Sequence, residues 1–277
     1  MKYRIKILCE NTVFGIKGAI AEHGWSVLLE NEKARFLIDT GQGKALLNNA
    51  TVFGEDLNNL DGVILSHHHF DHTGGLLPLL QNTGKQRIFA HPDLFKESYS
   101  LIGERTLAIG NPYAKEELDK YSPDYVFNRE LTEISENIFL SGEIPRKNDY
   151  EKGDARQVVK TAANSYIQDK LLDDQSIFVK TTQGIFIILG CSHSGIINIL
   201  EYAIEKMADE RILGVIGGTH LEPQSKDVQD KSIEALKKYN IKRLGVAHCT
   251  GLNVSARLKH EFPETFFFVS TGTELNW

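Results

Sequence analysis

Four of the ten histidines in this 277-residue chain fall within six positions, in the stretch SHHHFDHTGG at 66–75. Neutral imidazole and carboxylate are ligands for borderline divalent metals. In His67-x-His69-x-Asp71-His72 the first two histidines can clamp one ion from an extended loop, and Asp71 and His72, past the bend, can serve a second. His68 alternates away from its neighbours and reads as a supporting residue. One loop cannot close a metal site. Further candidate ligands stand after apolar runs elsewhere: Cys191 and His193 after IFIILG, His220 after GVIGGT and His248 after LGVA. Ligands of open α/β sheets gather beyond the carboxyl ends of strands, and all four fall there. As a thiolate, Cys191 favours zinc over magnesium or calcium. Cys9 and Cys249 read as packing cysteines, and His91 and His260 as structural or solvated.

The elements that must position these residues follow from periodicity. KYRIKILCE alternates at period two and reads as a strand. WSVLLE (25–30) and ARFLIDTG (34–41) read as a hairpin pair, DGVILS (61–66) as a buried strand that ends on the histidines, GGLLPLLQN as the start of a helix, and QRIFAHP (86–92) as the next strand. Residues 93 to about 133 are polar, weakly periodic and read as an insert, of the kind that forms a lid or a substrate wall. In the second half, 137–146, 175–182, 184–190, 211–218, 242–248 and 265–270 read as strands. Helices are expected over 195–207, where Ile196, Ile199, Leu200, Ala203, Ile204 and Met207 share a face, over 226–240 and over NVSARLKHEF. Alternating strands and helices imply parallel neighbours. VILSHHHFDHTGGLLPLL and FIILGCSHSGIINILE share one plan of strand, ligand loop, glycine and helix, which suggests two similar halves.

Composition narrows the class. A formal net charge of −6 argues against a large nucleic-acid footprint, which wants a basic face, and leaves room for a local basic cluster that holds a phosphate. Three widely spaced cysteines are not a disulfide framework, no run of about 18 apolar residues spells a membrane span, and MKYRIKILCEN is no signal peptide, so a cytoplasmic protein with a small-molecule substrate is expected. Nothing in the sequence sets the oligomeric state.

His-x-His-x-Asp-His after VILS, preceded by FLIDTG, resembles the metallo-β-lactamase superfamily. That resemblance implies an α/β fold built as a four-layer αββα sandwich, a single domain over 1–277 with the insert at about 93–133, and a dinuclear metal site. Carried over by position, His67 and His69 match the first-metal histidines, Asp71, His72 and His248 the second-metal ligands, and Asp39 a supporting aspartate. Cys191 stands where most members carry a bridging aspartate. The family's third histidine, just before QSIFV, is missing; His193 is favoured for that position, with Asp174 in reserve. AEHGWS, SGEIPR, GCSHSGI and AHCTG resemble a branch of metal-dependent hydrolases, some of them labelled dihydropterin ribofuranosyl-aminobenzene phosphate synthase.

The expected chemistry is hydrolysis of an ester, lactone, amide or phosphodiester by water activated between two divalent ions, zinc first and iron or manganese as alternatives. Asp71 would orient the nucleophile, His220 protonate the leaving group, Arg146 hold a substrate anion and His23 line the pocket. Two other readings stand beside it. One is a synthase that displaces pyrophosphate in a pterin-type condensation, for which Tyr99, Tyr113, Tyr121, Tyr125 and Tyr150 could make an aromatic pocket. The other is a metal-stabilised binding module without turnover, whose metal would be coordinatively closed.

Overall fold

A computed structural model describes residues 1–162 and 165–277. The chain forms two compact units, one of Met1–Asn128, Asp154–Asp173 and Ser270–Trp277, the other of Arg129–Gly153 and Asp174–Val269. Elements are numbered along the chain.

The first unit opens on an antiparallel meander, β1 (Tyr3–Cys9), β2 (Ser26–Asn31) and β3 (Arg35–Ile38). The sheet then turns parallel through β4 (Gly62–Ile64), β5 (Arg87–Ala90) and β8 (Asp124–Phe127). The last strand, β18 (Glu274–Asn276), pairs antiparallel with β1. Helices α1 (Ala45–Phe53) and α3 (Leu76–Thr83) cross between parallel strands and set Leu46, Ala50, Leu76, Leu79 and Leu80 against Leu28, Leu37, Val63 and Ile88 of the sheet. Helix α2 is a single turn over Phe70–Thr73. Between β5 and β8 the chain makes a hairpin, β6 (Tyr99–Ile102) and β7 (Arg105–Ala108), and the short helix α4 (Lys115–Asp119). The hairpin joins β11 (Gln157–Lys160) and β12 (Tyr166–Gln168) in a small sheet of order β12-β11-β6-β7.

The second unit repeats the plan. β9 (Thr132–Ser135), β10 (Ile138–Leu140), β13 (Ile177–Thr181) and β14 (Gly184–Ile188) are antiparallel; β14, β15 (Ile212–Gly218), β16 (Leu244–Ala247) and β17 (Phe266–Phe268) are parallel. Helices α5 (Ile196–Met207), α6 (Lys226–Leu236) and α7 (Leu252–Glu261) supply the crossovers. The expected face of α5 is buried against Ile185, Ile187 and Val215.

Most expected elements form where periodicity puts them. Two differ. The strand expected over 137–146 ends at Leu140, because Gly142 turns the backbone to φ +64° and Pro145 follows without an amide hydrogen. The helix expected to run to Asn240 stops at Leu236. β9, β11, β12 and β18 are short or half-exposed and carry no clean alternation.

Candidate metal centre

The histidine loop leaves β4 at its carboxyl end and its last residues form α2. Asp39, directly after β3, organises it. This buried carboxylate accepts the Ser66 backbone N–H at 2.7 Å and the Ser66 hydroxyl at 2.7 Å, and it meets His72 Nδ1 at 2.7 Å. Ser66 Oγ in turn meets His67 Nδ1 at 2.9 Å. The supporting role expected of Asp39 is thus visible: it fixes the ring of His72 and leaves Nε2 to point elsewhere.

His67 Nε2 and His69 Nδ1 stand 3.1 Å apart. Two nitrogens on one tetrahedral zinc, each at about 2.05 Å, are about 3.3 Å apart, so the pair has the spacing of a chelate. Burial, reinforced by His72, holds His67 well below the ordinary histidine range, and burial with His68 does the same for His69. Both rings are therefore neutral, the state a metal needs. His72 Nε2 lies 4.0 Å from Asp71 Oδ2. The donor set of this loop fits a borderline divalent metal.

His23 stands with its Nε2 3.1 Å from Asp71 Oδ2. His68 faces the other way, as its alternation implies. Its backbone N–H and its Nδ1 meet Asp173 Oδ2 at 2.9 and 2.6 Å, and its Nε2 meets Ser98 Oγ at 2.7 Å. Lys96 Nζ is 3.5 Å from the other oxygen of Asp173. This buried network fixes the loop from behind.

In the second unit the candidates come from three parallel strand ends. Cys191 and His193 follow β14, His220 follows β15 and His248 follows β16. One donor atom each from Cys191, His193 and His220 lies within 4.8 Å of the other two, and the same holds for Cys191, His248 and Cys249. His193 and His220 have ring centroids 4.3 Å apart. Asp174 Oδ2 shapes the loop: it accepts the Ser194 N–H at 2.9 Å and the Ser194 hydroxyl at 2.7 Å. Arg146 donates from Nη2 to the His193 carbonyl at 3.1 Å. A small cavity of about 20 Å³, room for about one water, lies beside this group, lined by Ser192, His193, Thr219, His220 and the buried carboxylate of Glu151.

Four of the eight non-glycine residues with positive φ among the described residues lie here. Asp39, Ser192, His220 and His248 all have positive φ, between 48° and 62°, without being glycine. Such residues cost of order 1 kcal/mol or more each and persist where the surroundings over-determine them.

Two contributors were not singled out by sequence reasoning. Glu151 sits in a segment without periodicity, and nothing local announces it. Cys249 had a signal: it adjoins the candidate ligand His248 at a strand end in AHC, much as Cys191 stands two residues before His193 in CSH. Burial acts to raise the Cys249 thiol, but contacts with Cys191 and His220 hold it well below the ordinary thiol range.

The chain belongs to the metallo-β-lactamase superfamily. The model of that family matches residues 19–150. A 7,8-dihydropterin-6-methyl-4-(β-D-ribofuranosyl)-aminobenzene-5'-phosphate synthase of Methanocaldococcus jannaschii is 33% identical over 261 residues, 91% of this chain and 89% of its own. Among solved structures, Tm1679, described as a metal-dependent hydrolase of the β-lactamase superfamily, is 32% identical with a TM-score of 0.83 over 99% of this chain and 98% of its own. Zinc-bound PqqB from Methylobacterium extorquens, 12% identical with a TM-score of 0.59 over 98% of this chain and 99% of its own, shares the fold. The mixed α/β fold is thus that of the superfamily.

Proposed function

We propose that the protein is a metal-dependent hydrolase acting on an ester, lactone or phosphodiester bond of a small molecule, with a dinuclear site and zinc as its metal. The observation that carries this reading is the pairing of His67 Nε2 with His69 Nδ1 at 3.1 Å beside an Asp71–His72 pair whose imidazole Asp39 orients. The loop alone thus offers donors for two ions. Cys191, His193 and His248 remain proposed ligands from the second unit.

Divalent ions held by these ligands would lower the pKa of water and take up charge developing on oxygen. The chain's own residues do the rest. Asp71 orients the nucleophile and accepts its proton, and His23 fixes the Asp71 carboxylate from outside. His220, beside the small cavity, delivers a proton to the leaving group. Arg146 has a buried Nε that makes no hydrogen bond among the described residues, which suits it to a substrate anion. No helix among the described residues is long and apolar enough to cross a membrane, and with three thiols the protein is proposed to work in the cytoplasm.

The test is metal content per chain for wild type beside His69→Ala, with bis-p-nitrophenyl phosphate and a panel of lactones assayed in parallel. About two ions per chain, fewer in the variant, and turnover that follows the metal are expected. One tightly held ion with no turnover would remove the dinuclear hydrolase.

A second reading is favoured by the 33% identity to a named synthase. There the same residues would bind a pyrophosphate leaving group while an aromatic nucleophile, not water, attacks. Pyrophosphate release from a dihydropterin pyrophosphate that requires an aminobenzene ribofuranosyl phosphate, with no ester or lactone turned over, would select it.

A further inference from the structure

Cys249 Sγ lies against Gly218 at the end of β15 in the second unit. A Cβ on Gly218 would lie 2.5 Å from Cys249 Sγ, 2.7 Å from the Gly190 carbonyl oxygen and 3.3 Å from the Cys191 Cα. Gly218 does not have positive φ, so conformation does not demand glycine here. Close approach of the Gly190 carbonyl does, and Cys249 Sγ fills the same gap beside the Cys191 loop. The turn carrying Cys249 is held in place independently. His248 takes φ +52°, and Thr250 Oγ1 accepts the Thr219 N–H at 3.0 Å. The loop carrying Cys191 is likewise fixed, by Ser192 Oγ donating to the Gly218 carbonyl at 2.7 Å. The result is that Cys191 Sγ, Cys249 Sγ and a ring nitrogen of His248 all lie within 4.8 Å of one another. Ligands on one tetrahedral zinc, with Zn–S about 2.3 Å, are about 3.8 Å apart, so closure by no more than about 1 Å completes a chelate.

We infer that Cys191 and Cys249 are a paired thiolate site which, with His248, binds a soft divalent cation of the zinc, cadmium or ferrous class. Each thiol gives up its proton to solvent on binding, and the sulfurs select against manganese and magnesium. Cys249 is thereby a ligand rather than a packing residue. The inference deepens the metalloenzyme reading, and rests on it only in that the chain must hold a metal; it is independent of which bond, if any, is cleaved.

X-ray absorption at the zinc edge of the zinc-loaded wild-type chain, combined with zinc content, counts sulfurs per chain without any substitution. Two sulfurs per chain at about 2.3 Å are expected. One sulfur or none overturns the inference. Cobalt loading under reducing conditions gives a second readout, the near-ultraviolet thiolate-to-cobalt band. Cys191→Ser and Cys249→Ser are each expected to lose about half of it, and the double variant all of it. A Cys249→Ser protein that folds and keeps the full band makes Cys191 the sole sulfur ligand and sinks the proposal. Failures of the two readings are separable. Two sulfurs without turnover on any ester or lactone removes the hydrolase and keeps the site; turnover with only nitrogen and oxygen ligands does the reverse.

Discussion

Asp39 makes no contact that chemistry would require of a ligand, yet it determines how the histidine loop presents its nitrogens. Replacing it by alanine removes the acceptor for Ser66 and the orienting partner of His72. Loss of such a supporting carboxylate weakens metal binding by about 10- to 100-fold. Competition with a chromophoric chelator measures this for Asp39→Ala, while far-ultraviolet circular dichroism checks that the sheet is intact. Asp173 acts from the opposite side of the loop. Burial works to raise its carboxyl, but His68 and Lys96 hold it well below the ordinary carboxylate range. A lowered folded pKa contributes stability that is present above the unfolded value, about 3.9, and lost as pH falls through the folded one. Asp173→Asn breaks a buried pair and should cost about 3–5 kcal/mol at neutral pH, by denaturant titration, with the difference from wild type shrinking in acid.

At the scale of elements, the amino end of α5 is capped from outside its own segment. The N–H groups of Ile197 and Asn198 donate to Glu151 at 3.0 Å each, and a Cβ on Gly195 would strike that carboxylate. Burial raises the Glu151 carboxyl above its usual range. Here the sign runs opposite to Asp173: a raised folded pKa gives stability that is present at low pH and lost as pH rises through the folded value. Glu151→Gln is expected to flatten the stability profile in that mildly acidic window. Glu151→Ala should cost about 1–2 kcal/mol by leaving helix-end donors without a partner.

These elements also explain what was readable beforehand. β1, β2, β4, β14, β15 and α5 carry clean periods because each buries a defined face or both faces, and the ligand loops follow because parallel strands deliver their ends to one side. β12 pairs only with its neighbour β11, and β11 in turn with the distant strand β6 (Gln157 opposite Ser100), so their place in a sheet is not set locally. Glu151 was illegible for the same reason, since its partners lie some 46 residues on. Cys249 read as a packing cysteine, because its neighbours at Gly218 and Cys191 lie on other strand ends and leave no local trace.

At the scale of the whole molecule, a metal held by the proposed ligands would be part of the folding free energy. Ligand that binds only the native state stabilises by about 4 kcal/mol at free concentrations a thousandfold above Kd. Exhaustive chelation should therefore lower the melting temperature by several degrees, and zinc should restore it. Magnesium, which is poorly matched to imidazole and thiolate, should not. A melting temperature indifferent to chelator would mean that the ligand loops hold their shape without metal.

The left-handed backbone at Ser192 has a consequence for how this chain responds to selection. Glycine would relieve that torsion at little steric cost. A directed-evolution screen that rewards heat resistance in metal-free protein would drift towards it, and survivors would lose the hydroxyl that ties the cysteine loop to the neighbouring strand. A screen run in the presence of zinc should retain the serine, so comparing the two survivor pools at this position would expose the trade between robustness and function.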